Sequence, residues 1–190
     1  PDPEGGEAGL CVHRCARAGA RVAGESDVIA NRANVAALLW QFVRDRDWAG
    51  FYLAIGEELV LGPFIGKPAC LRIPFGLGVC GAAASSLRTQ LVPDVHAFPG
   101  HIACDSASRS ELVVPVLRGA RLLAVIDLDS PLPARFDKAD AAGVETLAAL
   151  IAFAGCGENH APPAAIDLNL AKTSLERALT TWQKKGKPED

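Results

Sequence analysis

Three cysteines in the middle of the chain, Cys70, Cys80 and Cys104, carry most of its chemical potential. Cys104 lies in Gly100-His-Ile-Ala-Cys104-Asp, within a Gly-, Pro-, Ser- and Asp-rich loop over 98–110, and loops of this length usually carry function. An accessible thiol with thiolate character is a nucleophile, whereas most free cysteines are buried and behave as small hydrophobes. Three in one region favour thiol chemistry over three unrelated packing residues. Asp127 and Asp129 add a second signal. They stand two apart on an apolar strand, so both carboxylates face one way, about 7 Å apart at the usual strand rise. Glu111 opens the neighbouring strand and can bring a third carboxylate to the same surface. A functional cluster of this kind would bind an ammonium group and keep one carboxyl protonated, because crowded like charges raise a pKa. The plainer reading is a strand end reaching solvent at Asp129-Ser130-Pro131. On these residues alone both stay open.

Other motifs carry less. Gly76-Leu-Gly78-Val-Cys-Gly81 fits the dinucleotide pattern G-x-G-x-x-G, with Asp94 at a plausible distance. That fold needs a parallel sheet, and this chain offers hairpins, with Pro74 inside the preceding strand. A tight turn whose helix N-terminus lowers the pKa of a nearby thiol is the better expectation. Zinc is the rival use of Cys70, Cys80, His101 and Cys104, but close ligand pairs are missing. Cys11-Val-His-Arg-Cys15 is compact and lacks a second pair. His96, His101 and His160 are individually uninformative; His101 could tune Cys104 or be a plain loop histidine.

These residues need elements to hold them. Ser26-Asp27 caps a helix with Val35, Leu38, Leu39 and Phe42 on one face. Strands are expected over 48–55 and 59–64, joined by Gly56-Glu57-Glu58, and a short one over 70–75. A small-residue helix over 80–86 follows, then a strand over 90–95. Two apolar strands, 111–117 and 122–129, form a second hairpin across Arg118-Gly119-Ala120-Arg121. Phe136-Asp137 starts a helix with Val144, Leu147 and Ile151 on one face. Hairpins bracketed by helices indicate an antiparallel α+β domain. Beyond it lie a Pro162-Pro163 break and an amphipathic stretch with Leu168, Leu175, Leu179 and Trp182.

Composition agrees with one globular domain: 190 residues, 49% apolar and 22% charged. A net charge of −3 with scattered Lys and Arg argues against nucleic acid. No apolar run approaches membrane-spanning length and the acidic N-terminus is unlike a signal peptide, so a cytoplasmic protein without a membrane partner is expected. Six cysteines are too few for a disulfide-dense secreted scaffold, and they should start as thiols.

The stretches Trp48-Ala-Gly-Phe-Tyr52, Leu61-Gly-Pro-Phe64, Gly66-Lys-Pro-Ala-Cys70, Arg72-Ile-Pro74, Gly78-Val-Cys-Gly81, Asp94-Val-His96, Gly100-His-Ile-Ala-Cys104-Asp, Ser110-Glu111 and Asp127-Leu-Asp-Ser130 together closely resemble the free methionine-R-sulfoxide reductases, which are built on a GAF domain. The resemblance runs from about Gly24 to Leu150. It implies a six-stranded antiparallel sheet flanked by helices, with a lead-in over 1–23, the GAF-type domain over 24–154, a linker over 155–165 and a tail over 166–190. It also implies roles. Cys104 matches the attacking cysteine, Cys70 the resolving one and Cys80 a third with an auxiliary part in recycling. Glu111, Asp127 and Asp129 match carboxylates that hold the substrate amine and assist the sulfoxide oxygen, with Glu111 or Asp129 as the acid. Trp48 and Tyr52 match aromatics around the methyl-sulfur end. The implied reaction takes free methionine-R-sulfoxide to methionine through a sulfenic acid and a disulfide, recycled by thioredoxin, with no metal or organic cofactor. A homodimer is suggested by analogy. The alternative is a non-catalytic GAF domain that binds a small molecule as a regulator.

Overall fold

The structure is a computed structural model and describes residues 26–100 and 107–152. Asp27 accepts a hydrogen bond from the Ala30 N–H at 2.7 Å and caps helix α1, Val28–Phe42. Val35 and Leu39 are buried on its inner face, and Leu38 and Phe42 half-buried. Strand β1, Trp48–Ile55, turns through Gly56-Glu57 into β2, Glu58–Gly66. Glu58 already pairs with Ile55, so the turn is one residue shorter than expected. Strand β3, Arg72–Pro74, lies at one edge, where Pro74 ends the strand and Arg72 pairs with Glu58.

Helix α2 spans Gly78–Ser86, and strand β4, Gln90–Val92, forms the other edge. The expected strand over 90–95 stops early because the Asp94 side chain accepts from the His96 N–H at 3.0 Å and starts a 3₁₀ turn over Val95–Ala97. Strands β5, Ser110–Arg118, and β6, Arg121–Ser130, form the central hairpin through Gly119-Ala120. Asp137 and Asp140 then build a reciprocal capping box on helix α3, Lys138–Ile151. Arg135 donates to Asp140 at 3.1 Å and to the Arg44 carbonyl at 2.8 Å, which ties the start of α3 to the α1–β1 connection.

All pairings are antiparallel, in the order β3-β2-β1-β6-β5-β4. This is the six-stranded α+β architecture expected. Strand alternation then divides the interior. Ala49 and Phe51 of β1, Leu112, Val114 and Val116 of β5, and Ala124, Ile126 and Leu128 of β6 join α1 and α3 in one core. Trp48, Tyr52, Val113 and Val125, from the opposite face, join α2 and β3 in another. The lead-in 1–23, the linker 155–165 and the tail 166–190 lie outside the described residues, as do Cys11, Cys15, Cys156 and His160.

Candidate active site

The face covered by α2 holds the carboxylates. In the strand register Asp129 stands between Trp48 of β1 and Glu111 of β5, and Asp127 between Gly50 and Val113. Two rows across three strands therefore bring together residues spread between positions 48 and 129. Glu111 and Asp127 are buried, while Asp129 is half-buried. The plain reading of a solvated strand end fails for Asp127, which is 5% exposed.

Gly50 shapes the aromatic wall. A Cβ there would come within 2.3 Å of the Phe64 Cβ and 2.7 Å of Trp48 Cη2. Without it, the Trp48 indole lies along the sheet, stacked on Tyr52 at 5.8 Å and on Phe64 at 5.2 Å. Its Nε1–H donates to the Lys67 carbonyl at 3.1 Å, which fixes the ring. Trp48, Tyr52, Cys80, Glu111, Asp127 and Asp129 line one pocket, together with Lys67, Pro68, Ala69 and Ser108.

The glycine-rich turn closes the opposite wall. Gly76 and Gly78 have φ of +85° and +63°, and a Cβ on Gly81 would meet the Pro74 carbonyl oxygen at 2.5 Å. The spacing that resembles a dinucleotide motif is thus used for a tight turn into α2. Cys80, in the first turn of that helix, is a buried free thiol whose Sγ lies 3.8 Å from Glu111 Oε1. Its pKa is raised well above the usual thiol value, first by burial and then by Asp127, Glu111 and Asp129. This corrects the expectation of a thiol acidified by the helix N-terminus: at Cys80, desolvation and three carboxylates outweigh a partial positive charge.

Burial also dominates the carboxyls. It pushes Asp127 up to about 7, helped by Asp47 and opposed by hydrogen bonds from Cys80 and Glu111. Glu111 is raised well above the carboxylate range by burial and then by the nearby Asp127. Two buried carboxyls this close titrate as a unit, and both are pushed toward their neutral forms. Tyr52 is raised too, by burial and then Asp127, and stays a phenol. Asp127 Oδ1, buried in the pocket wall, has no hydrogen-bond partner among the described residues.

Cys70 lies half-buried between β2 and β3, next to the pocket residue Ala69. It is disulfide-bonded. With Cys70 in a disulfide, the zinc set Cys70, Cys80, His101 and Cys104 lacks one thiolate in this structure. Cys80, Glu111 and Asp127 have ligand atoms within 4.8 Å of one another and are the described residues close enough to share a cation. His101 and Cys104 lie outside the described residues. The ends of their loop do not: the Gly100 carbonyl accepts from the Gly78 N–H at 3.1 Å, and Ser108 is buried in the pocket wall.

Residue-by-residue reading missed Asp47, Lys67 and Ser108. A charged Asp47 immediately before an apolar strand was the available signal; Lys67 and Ser108 looked like ordinary loop residues.

Comparison with known proteins gives the same answer from another direction. The GAF domain family matches residues 29–154. The free methionine-R-sulfoxide reductase of Escherichia coli K12 is 48% identical over 130 residues, 68% of this chain and 79% of the relative. That of Saccharomyces cerevisiae is 46% identical over 136 residues, 67% and 76% of the two chains. The X-ray structure of free methionine-R-sulfoxide reductase from Neisseria meningitidis in complex with its substrate superposes with a TM-score of 0.72 at 43% identity, covering 82% of this chain and 95% of that one. By these matches and by the sheet that carries the site, the chain belongs to the GAF domain family and, within it, to the free methionine-R-sulfoxide reductases.

Proposed function

We propose that this chain reduces free methionine-R-sulfoxide to methionine, with Cys104 as the nucleophile. The observation that carries the reading is the buried, closely spaced Glu111–Asp127 pair in one pocket with the aromatic wall of Trp48 and Tyr52. A sulfoxide needs a proton for its departing oxygen, and an amino acid needs a charge for its ammonium group. The pair offers both. Glu111, buried and with its carboxyl pushed toward the neutral form, is the acid, and the half-buried Asp129 suits the ammonium group. The unpartnered Asp127 Oδ1 supports a cationic ligand, since a buried carboxylate oxygen left unpaired is costly.

In this reading the Cys104 thiolate attacks the sulfoxide sulfur while Glu111 protonates the oxygen. The S–O bond breaks and the oxygen leaves as water, giving a Cys104–methionine sulfonium. Water then attacks Cys104 Sγ and loses a proton, the S–S bond breaks with its electron pair passing to methionine, and Cys104 is left as a sulfenic acid. Cys70 thiolate attacks that sulfur, hydroxide leaves as water with a proton, and a Cys70–Cys104 disulfide remains. That Cys70 is disulfide-bonded supports a redox role for it. Thioredoxin then gives two electrons by exchange, and no metal or organic cofactor takes part. Cys80, protonated and buried, serves recycling rather than attack. A methionine within a peptide has no ammonium charge for the carboxylates and is rejected.

No helix of the described residues is long and apolar enough to cross a membrane, which is compatible with the cytoplasmic location proposed here. A homodimer, and the absence of a nucleic-acid partner, belong to the same proposal.

Turnover of R and S sulfoxides, free and peptide-bound, tests the reading. Only the free R form should be consumed, and Cys104→Ser should abolish its thioredoxin-coupled reduction. Cys70→Ser should release about one methionine per site and then stall. Wild-type turnover in Cys104→Ser would sink the assigned nucleophile.

A further inference from the structure

Asp47, the residue before β1, touches two parts of the pocket at once. Its N–H donates to the Asp129 carbonyl at 3.0 Å, on the strand that carries Asp127 and Asp129. Its Oδ2 accepts from the hydroxyl of Ser108 at 3.4 Å. Ser108 is 5% exposed and lines the pocket at the returning end of the 98–110 loop. The next residue, Arg109, donates to the Ser130 carbonyl at 2.7 Å and accepts from the Val95 N–H at 2.9 Å. One aspartate therefore sits where the returning loop, β6 and the start of β1 meet.

We infer that Asp47 is a positioning residue for this pocket, tying the returning arm of the 98–110 loop to β6 and placing its carboxylate next to the strand end that carries Asp127 and Asp129. Its charge acts on Asp127 in the direction that keeps a proton on the pair. Around Asp127 the other described titratable groups are Glu111 on β5, Cys80 on α2, Tyr52 on β1 and Asp129 on β6 itself, with Lys67 in the pocket wall. All but Lys67 are acids, so Asp47 adds to an existing crowd of potential negative charge. The catalytic consequence rests on the reductase reading, but the geometry and the charge do not.

Asp47→Asn keeps an oxygen for Ser108 and removes the charge; Ser108→Ala removes the tie and keeps the charge. An infrared titration of the buried carboxyl C=O band reads the charge without any turnover. In Asp47→Asn the band should disappear at a lower pH than in the wild type, and in Ser108→Ala at the wild-type pH. Amide hydrogen exchange reads the tie, and Arg109 should exchange about two- to tenfold faster in Ser108→Ala, the effect of losing one modest hydrogen bond. In active enzyme the alkaline limb of kcat/KM should move to lower pH in Asp47→Asn alone. An unmoved infrared titration in Asp47→Asn would overturn the charge, and unchanged Arg109 exchange in Ser108→Ala would overturn the tie. A wild-type protein without sulfoxide reduction would instead overturn the reductase reading and leave both of those readouts intact.

Discussion

The two faces of the central strands are built from neighbouring residues and have opposite characters. On β6, Ala124, Ile126 and Leu128 enter a dry apolar core against α1 and α3, while Asp127 and Asp129 face the pocket beneath α2. On β5, Leu112 and Val114 take the dry side and Glu111 the other; on β1, Ala49 and Phe51 oppose Trp48 and Tyr52. The dry face holds the strands so firmly in register that the other can tolerate buried, crowded acids. Register is the link, because a slip of one residue would send Asp127 into the apolar core and Ile126 into the pocket.

Substitutions on the two faces should separate stability from activity. The largest expected effect is on the pocket side: Glu111→Gln should lower kcat/KM for the sulfoxide by about 10²- to 10⁴-fold, the usual contribution of a general acid, without loss of thermal stability. Near-normal turnover would move the acid to Asp129. On the dry side, Phe51→Ala should cost about 3–5 kcal/mol in urea unfolding, while activity per folded molecule stays close to normal. A selective loss of kcat with little destabilisation would show that the two faces are not independent.

Asp127→Asn comes next and has a distinctive sign. The folded pKa of Asp127 is raised from 3.8 to about 7, so the stability tied to its protonated form is full below about pH 4 and is lost as pH rises through 7. An asparagine cannot ionise. At pH 8 the variant should therefore be more stable than the wild type by about 1–3 kcal/mol, with the gain gone at pH 4, as read by thermal unfolding across that range. A gain independent of pH would mean that packing rather than charge was responsible. The smallest effect belongs to Trp48→Phe, which keeps a stacked ring but loses the indole N–H bond to Lys67. About 0.5–1.5 kcal/mol of stability should go, with a modest rise in KM.

Much of this division was legible beforehand. Alternation over 122–129 put Asp127 and Asp129 on one side of a strand, and the apolar spacing of Val35 and Leu39 or of Val144 and Leu147 marked the helices that cover the other. Strand ends were less legible: the side chain of Asp94 ended β4 early by capping a turn, a local competition that apolar patterning does not register. Asp47 and Ser108 escaped notice because their importance comes from partners 61 positions apart.

The residue types and their period of two determined, by themselves, that acids and aromatics would share one face of a sheet and that thiols would lie near its turns. Only the tertiary structure decided what those groups became. Packing α2 over the carboxylates removed water from them, so that Glu111 and Asp127 are both pushed toward their neutral forms and Cys80 is a thiol held away from its thiolate rather than an activated one. Side-chain direction follows from local backbone geometry, whereas proton affinity follows from desolvation by residues distant in the chain.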